Sequence, residues 1–237
     1  MWDRSVRVRM SLRVRARLGL ADVLTLLNAT LGVVAMVAVV TGDPSLVARI
    51  ILLAAVADGL DGIVARSLGG TEVGPYLDSM ADIVSFGTAP ALFVFAVAHE
   101  AWAPLADAPV RYAIAIAVPA LFVVLSLVRT GLYTVYVGED EDRPGIQNTL
   151  AASILAAGSL ASPTSVPVVL AASVVLSLLM VAPVPYPKLA ARDALAMGVV
   201  QMGVIVRPSL AGRILPRLLL VAAVAYMTLA PWYYWES

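Results

Sequence analysis

Apolar residues occur in long, nearly unbroken stretches separated by short polar breaks. The stretches cover residues 21–40, 45–65, 75–98, 110–137, 148–160 and 166–181, followed by two shorter or Arg-flanked ones at 194–206 and 214–231. A helix needs about 20 apolar residues to cross the hydrocarbon of a bilayer. The pattern therefore predicts an all-α integral membrane protein, with a six-helix transmembrane core and one or two extra C-terminal helices. Thr41-Gly42-Asp43-Pro44 and Gly69-Gly70 are the breaks around the second stretch, and Pro183, Pro185 and Pro187 close the sixth. Pro119, inside the fourth, predicts a kink. The chain divides into a basic membrane-surface segment (1–20), the transmembrane core (21–190) and the C-terminal helices (191–237).

Composition sharpens this picture. Of 237 residues 61% are hydrophobic and only 14% charged, with a net charge of zero. Soluble domains carry about 25% charged residues, so a water-soluble globule is excluded, and nothing draws the chain to nucleic acid. No cysteine and one histidine, His99, leave no thiolate chemistry and no His-rich metal site. Arginines 4, 7, 9, 13, 15 and 17 crowd the start. They suit an anionic membrane surface, where each contributes about 1 kcal/mol; a basic tail free of the membrane is the alternative. Basic residues flank the cytoplasmic side of membrane helices. The N-terminus, and the breaks holding Arg66, Arg143, Lys188 and Arg192, are therefore expected in the cytoplasm. Trp232, Tyr233, Tyr234 and Trp235 form an aromatic belt at the end.

Four carboxylates sit where lipid-facing helices do not tolerate them. Asp58 and Asp61 close the second stretch; Asp78 and Asp82 open the third. An ionised Asp at the centre of a membrane helix costs roughly 2.5–3.5 kcal/mol. At 100° per residue, Asp58, Asp61, Gly62 and Ala65 share one helix face. Gly74, Asp78 and Asp82 form an i, i+4, i+8 row on the next helix. The connection between the helices is short, so they are expected to be antiparallel neighbours with both acid pairs near the cytoplasmic surface. Four like charges repel one another. Two hard divalent cations, Mg²⁺ or Mn²⁺, would neutralise them through oxygen ligands. Solvated interfacial aspartates are the plainer alternative, as are carboxylates of an ion transporter.

The run Asp58-x2-Asp61-Gly62-x2-Ala65-Arg66-x7-Gly74-x3-Asp78-x3-Asp82 resembles the signature of the CDP-alcohol phosphatidyltransferases, D-x2-D-G-x2-A-R-x8-G-x3-D-x3-D, with a turn one residue shorter. The resemblance covers about residues 20–190. It implies transfer of a phosphatidyl-type group from a CDP-linked lipid to a small alcohol, with release of CMP. It further implies Asp58, Asp61, Asp78 and Asp82 as metal ligands, and Asp82 also as the base on the acceptor hydroxyl. Gly62, Ala65, Arg66, Thr71 and Gly74 are then CDP-lipid contacts. Family members are commonly homodimers.

The acceptor is less directly written. Residues 24–32 resemble the first helix of the phosphatidylserine synthase branch. Asn28 within them either bonds a neighbouring helix or touches the nucleotide. Arg129 either snorkels at a helix end or anchors a phosphate or carboxylate. Gln147 and Asn148 either start a helix or contact the head group, and Lys188 follows a Pro185-Tyr186-Pro187 run similar to that branch. These features favour L-serine over glycerol 3-phosphate or inositol phosphate. The Arg-rich, Lys-poor composition hints at a halophilic archaeon, which makes CDP-archaeol as well as CDP-diacylglycerol an expected donor.

Overall fold

The computed structural model describes residues 18–104, 107–136, 143–162, 165–186 and 191–233. The arginines of the first 17 residues, the acidic residues 139–142, Lys188, and Tyr234 and Trp235 of the aromatic belt lie outside the described residues.

Helices dominate. The first is α1 (Leu20–Val39), and α2 (Pro44–Leu68) follows after a tight break. Asp43 starts α2 by accepting from the backbone N–H groups of Ser45 and Leu46 at 2.9 and 3.2 Å, and Pro44 fills the first helical position. Gly69 ends α2 at φ +90°, a conformation that side chains rarely adopt. The third apolar stretch becomes α3 (Gly74–Asp82), a π-helical segment (Ile83–Thr88) and α4 (Ala89–Trp102), joined end to end. The expected single span is thus present, with widened turns directly after Asp82. Then come α5 (Pro109–Tyr136), α6 (Asn148–Ala161), α7 (Val166–Met180), α8 (Ala191–Val206) and α9 (Leu210–Tyr233). Helix α5 continues through Pro119. Helix α9 turns left-handed at Ala211, Gly212 and Arg213 before its long apolar part.

Among the described residues, four helical segments are long and apolar enough to cross a membrane: Leu20–Val39, Gly74–Trp102, Pro109–Tyr136 and Leu210–Trp232. Helices α6 and α7 fall short of the expected span, with 14 and 15 residues, or about 21–23 Å at 1.5 Å per residue. Burial explains why α6 can be short. Its Ala-rich sequence is enclosed from Ala151 through Ala157, and it lies between α2 and α9 instead of facing lipid. The all-α expectation needs one amendment. Two-residue strands, β1 (Arg143–Pro144) and β2 (Pro185–Tyr186), pair antiparallel. Proline holds these flanks extended, and because it donates no N–H the ladder stays short.

Helix α1 packs along α2 and also against α3, the π-helical segment and α4. Its close approach depends on Gly32. A Cβ there would lie 2.5 Å from Ser85 Oγ and 2.8 Å from Ser85 Cα. Gly32→Val is therefore expected to cost about 1–3 kcal/mol, read as a lower thermal midpoint in detergent. Gly158→Ala is the control: nothing lies within 4 Å of its Cβ position, and the midpoint should hold or rise. Phe86, Phe93 and Phe122 fill the centre of the apolar core. The acid-bearing ends of α2 and α3 lie at the edge of that core.

Candidate metal centre

The acid pairs meet. One carboxylate oxygen from each of Asp58, Asp61 and Asp78 lies within 4.8 Å of the other two. Asp58, Asp78 and Asp82 stand close enough to act on one another electrostatically, and Asp78 also acts on Asp61. Asp58 and Asp61 of α2 and Asp78 and Asp82 of α3 thus come together in one cluster.

Neighbouring helices hold the carboxylates in place. Thr25 of α1 donates to Asp61 Oδ2 at 2.7 Å. Asn28, one helical turn on, offers Nδ2 to Asp58 Oδ1 at 3.4 Å. Thr149, at the start of α6, donates to Asp58 Oδ2 at 3.1 Å. These bonds orient the acids without neutralising them. One acceptor is left open: Asp82 Oδ1 is buried and has no hydrogen-bond partner. Buried polar atoms are nearly always satisfied, so this oxygen points to a ligand. The donor set is all hard oxygen, which suits Mg²⁺ or Mn²⁺. Opposite oxygens around Mg²⁺ stand about 4.2 Å apart. Modest side-chain rotation would bring Asp58, Asp61 and Asp78 from 4.8 Å into one coordination sphere. The residues present fit a divalent cation.

Arg66 is exposed, beside the cluster. Its guanidinium lies over Gly62, where a Cβ would stand 3.4 Å from Nη1. A methyl group at 62 would make only ordinary contact with Arg66, and Ala65, part-buried, stands one turn on, so neither position crowds Arg66 near Asp61. Thr71 and Gly74 are tied to a residue that sequence reasoning missed. Thr71 Oγ1 donates to Asp22 Oδ2 at 2.9 Å, the Gly74 N–H donates to Thr71 Oγ1 at 3.0 Å, and the Gly19 N–H donates to Asp22 Oδ2 at 2.7 Å. Asp22 is only 1% exposed. It pins the α2–α3 connection to the start of α1. The available signal was a carboxylate at the third position of an apolar helix, where it can cap the backbone.

Arg129 does not snorkel. It is 6% exposed, lies near enough to Asp82 to attract it, and stacks its Cζ 4.2 Å over the ring of Tyr133. The Tyr133 hydroxyl in turn donates to the Pro144 carbonyl. Tyr133 was not anticipated either. Gln147 caps α6 without a side-chain bond to the helix. Asn148 is fully buried and donates Nδ2 to Thr130 Oγ1 at 2.8 Å.

Fold and site together define a class: a helical protein with several membrane-length helices and a carboxylate cluster on two adjoining ones, fit to hold cations. The sequence profile of the CDP-alcohol phosphatidyltransferases matches residues 18–206, and the chain belongs to that family of enzymes. Among its relatives, an archaetidylserine synthase from Methanothermobacter thermautotrophicus is 28% identical over 179 residues, covering 74% of this chain and 72% of that protein. A CDP-diacylglycerol–serine O-phosphatidyltransferase from Saccharomyces cerevisiae is 42% identical over 91 residues, covering 35% of this chain and 33% of its own. One of the same name from Mycobacterium leprae is 39% identical over 74 residues, covering 31% and 25%.

Proposed function

We propose that this enzyme transfers the phosphatidyl or archaetidyl group of a CDP-linked lipid, CDP-diacylglycerol or CDP-archaeol, to the hydroxyl of L-serine and releases CMP. The observation that carries the reading is a buried Arg129 beside Asp82, whose Oδ1 lacks a partner. A base and an anion anchor stand together there, as a carboxylate-bearing alcohol requires. The names of the relatives point the same way.

Asp58, Asp61, Asp78 and Asp82 hold two divalent cations, Mg²⁺ or Mn²⁺. When bound, these supply charge neutralisation for the diphosphate and for the leaving phosphate oxygen. Asp82 takes the proton of the serine hydroxyl as that oxygen bonds to the lipid-side phosphorus. The bond from this phosphorus to the bridging oxygen breaks, and CMP leaves with that oxygen. Arg66, with room left by Gly62 and Ala65, pairs with phosphate oxygens. Asn28, Thr71 and Gly74 shape the nucleotide side; Arg129, Gln147, Asn148 and Lys188 serve the acceptor side. Most of the acceleration comes from positioning and electrostatics, as for phosphoryl transfer generally.

The catalytic core is residues 21–190, a six-helix core made by α1, α2, α3 with α4, α5, α6 and α7, the short α6 and α7 packed within it. Residues 1–20 lie on the membrane surface and 191–237 add the C-terminal helices. The enzyme works as a homodimer in the cell membrane, with its N-terminus and active site facing the cytoplasm. The test is an acceptor panel: purified protein, either CDP-lipid, Mn²⁺, and L-serine, glycerol 3-phosphate or inositol phosphate in turn. CMP should appear with serine alone. Release with glycerol 3-phosphate and none with serine would overturn the assignment.

A further inference from the structure

We propose that Asn148 recognises the ammonium group of the acceptor, so that the site selects a zwitterionic α-amino acid over a phosphorylated polyol. The inference rests on the serine-transfer reading and adds to it a specific donor–acceptor contact.

Asn148 begins α6 and is fully buried. Its amide nitrogen is fixed by the 2.8 Å bond to Thr130 Oγ1. In this arrangement the amide turns its nitrogen to Thr130, whose hydroxyl can accept as well as donate. Its oxygen, Oδ1, is buried and has no hydrogen-bond partner. A buried acceptor left without a donor is costly, and a bound N–H group would relieve that cost. Asn148 also borders the carboxylates. The next residue, Thr149, bonds Asp58 at 3.1 Å. Thr130, which holds the amide, follows Arg129, and Arg129 acts on Asp82. Helices α5 and α6 therefore carry a guanidinium that acts on the proposed base and, on the residue before the one that bonds Asp58, an open amide oxygen.

These are complementary to one kind of acceptor. A carboxylate pairs with Arg129, an ammonium donates to Asn148 Oδ1, and the hydroxyl on the adjoining carbon is left for Asp82. Glycerol 3-phosphate and inositol phosphate carry no ammonium. A hydrogen bond to a charged group is among the stronger ones, so its loss should be visible in the serine KM.

The experiment uses the full-length enzyme in detergent with CDP-lipid and Mn²⁺. Asn148→Leu should raise the KM for L-serine at least tenfold and leave kcat within about threefold. It should leave CMP binding unchanged. Inhibition by 3-hydroxypropanoate, which is serine without its amino group, should also be unchanged. A general packing defect would weaken both acceptor-site ligands alike. Asn148→Asp keeps an acceptor of the same shape and should hold the serine KM within about threefold, which keeps the test alive if Asn148→Leu does not fold. An unchanged serine KM in Asn148→Leu, equal weakening of serine and 3-hydroxypropanoate, or loss of serine affinity in Asn148→Asp would overturn the inference. Wild-type enzyme that releases no CMP with serine would remove the serine-transfer reading and this inference with it. Wild-type release with an unchanged variant KM would remove this inference alone.

Discussion

Asp82→Asn is expected to lower the rate of CMP release with L-serine by about 100- to 10,000-fold, the range that a positioned general base contributes. The amide keeps the size of the carboxylate and can still offer an oxygen to a cation, but it cannot take a proton. The loss should therefore fall on kcat, while the affinity for CMP changes by less than about threefold. The fold should survive. Asp82 stands among Asp58 and Asp78, and removing one of several crowded negative charges does not weaken the packing. The apoprotein's thermal midpoint in detergent should hold or rise. A variant retaining more than about a tenth of wild-type turnover would take the proton-accepting role away from Asp82. A variant that loses CMP binding along with turnover would assign Asp82 to holding the diphosphate alone.

How much of this was readable beforehand depends on the range of the interactions involved. The acid faces of α2 and α3 follow from helical period and a short connection, both local properties. Spacing alone therefore placed Asp58 with Asp61 and Asp78 with Asp82, and brought the two pairs together. What orients these acids is not local. Thr25 reaches Asp61 across 36 residues, Asp22 meets Thr71 across 49, and Thr149 reaches Asp58 across 91. A threonine inside an apolar helix looks the same whether it bonds its own backbone, as Thr30 does, or a distant carboxylate. Tyr133 was similarly hidden, because its part in holding Arg129 depends on where β1 brings the Pro144 carbonyl. The π-helical turns at Ile83–Thr88 left no mark either. They add to the backbone ladder without changing the apolar pattern. The Ala-rich run in α6 did signal a membrane helix by hydropathy, yet its small side chains also let it sit enclosed by other helices, and hydropathy does not separate the two settings.

The support of Asp61 from α1, and of Asp58 from α1 and α6, gives the second large prediction its form. Treatment with EDTA should abolish CMP release, and Mn²⁺ or Mg²⁺ should restore it. Two variants should then separate holding a cation from orienting the ligand that holds it. Asp61→Asn removes a charged oxygen from the cluster, and the Mn²⁺ concentration giving half-maximal activity should rise at least 100-fold. Thr25→Val leaves all four carboxylates but deletes the 2.7 Å bond to Asp61. Partners that orient metal ligands are typically worth 10–100-fold in affinity, so the rise should be about tenfold, with near-normal turnover at saturating Mn²⁺. A readout independent of turnover is the thermal midpoint, since a cation that binds only the folded state adds about 2.7 kcal/mol at 100 times its Kd. Wild type should gain most from Mn²⁺, Thr25→Val should need more of it for the same gain, and Asp61→Asn should gain least. Direct titration of Mn²⁺ by electron paramagnetic resonance should count two bound ions in the wild type. Full activity in EDTA, together with a midpoint indifferent to Mn²⁺, would mean that four crowded carboxylates are neutralised by protons instead. The proposed chemistry would then lose its means of stabilising the departing phosphate.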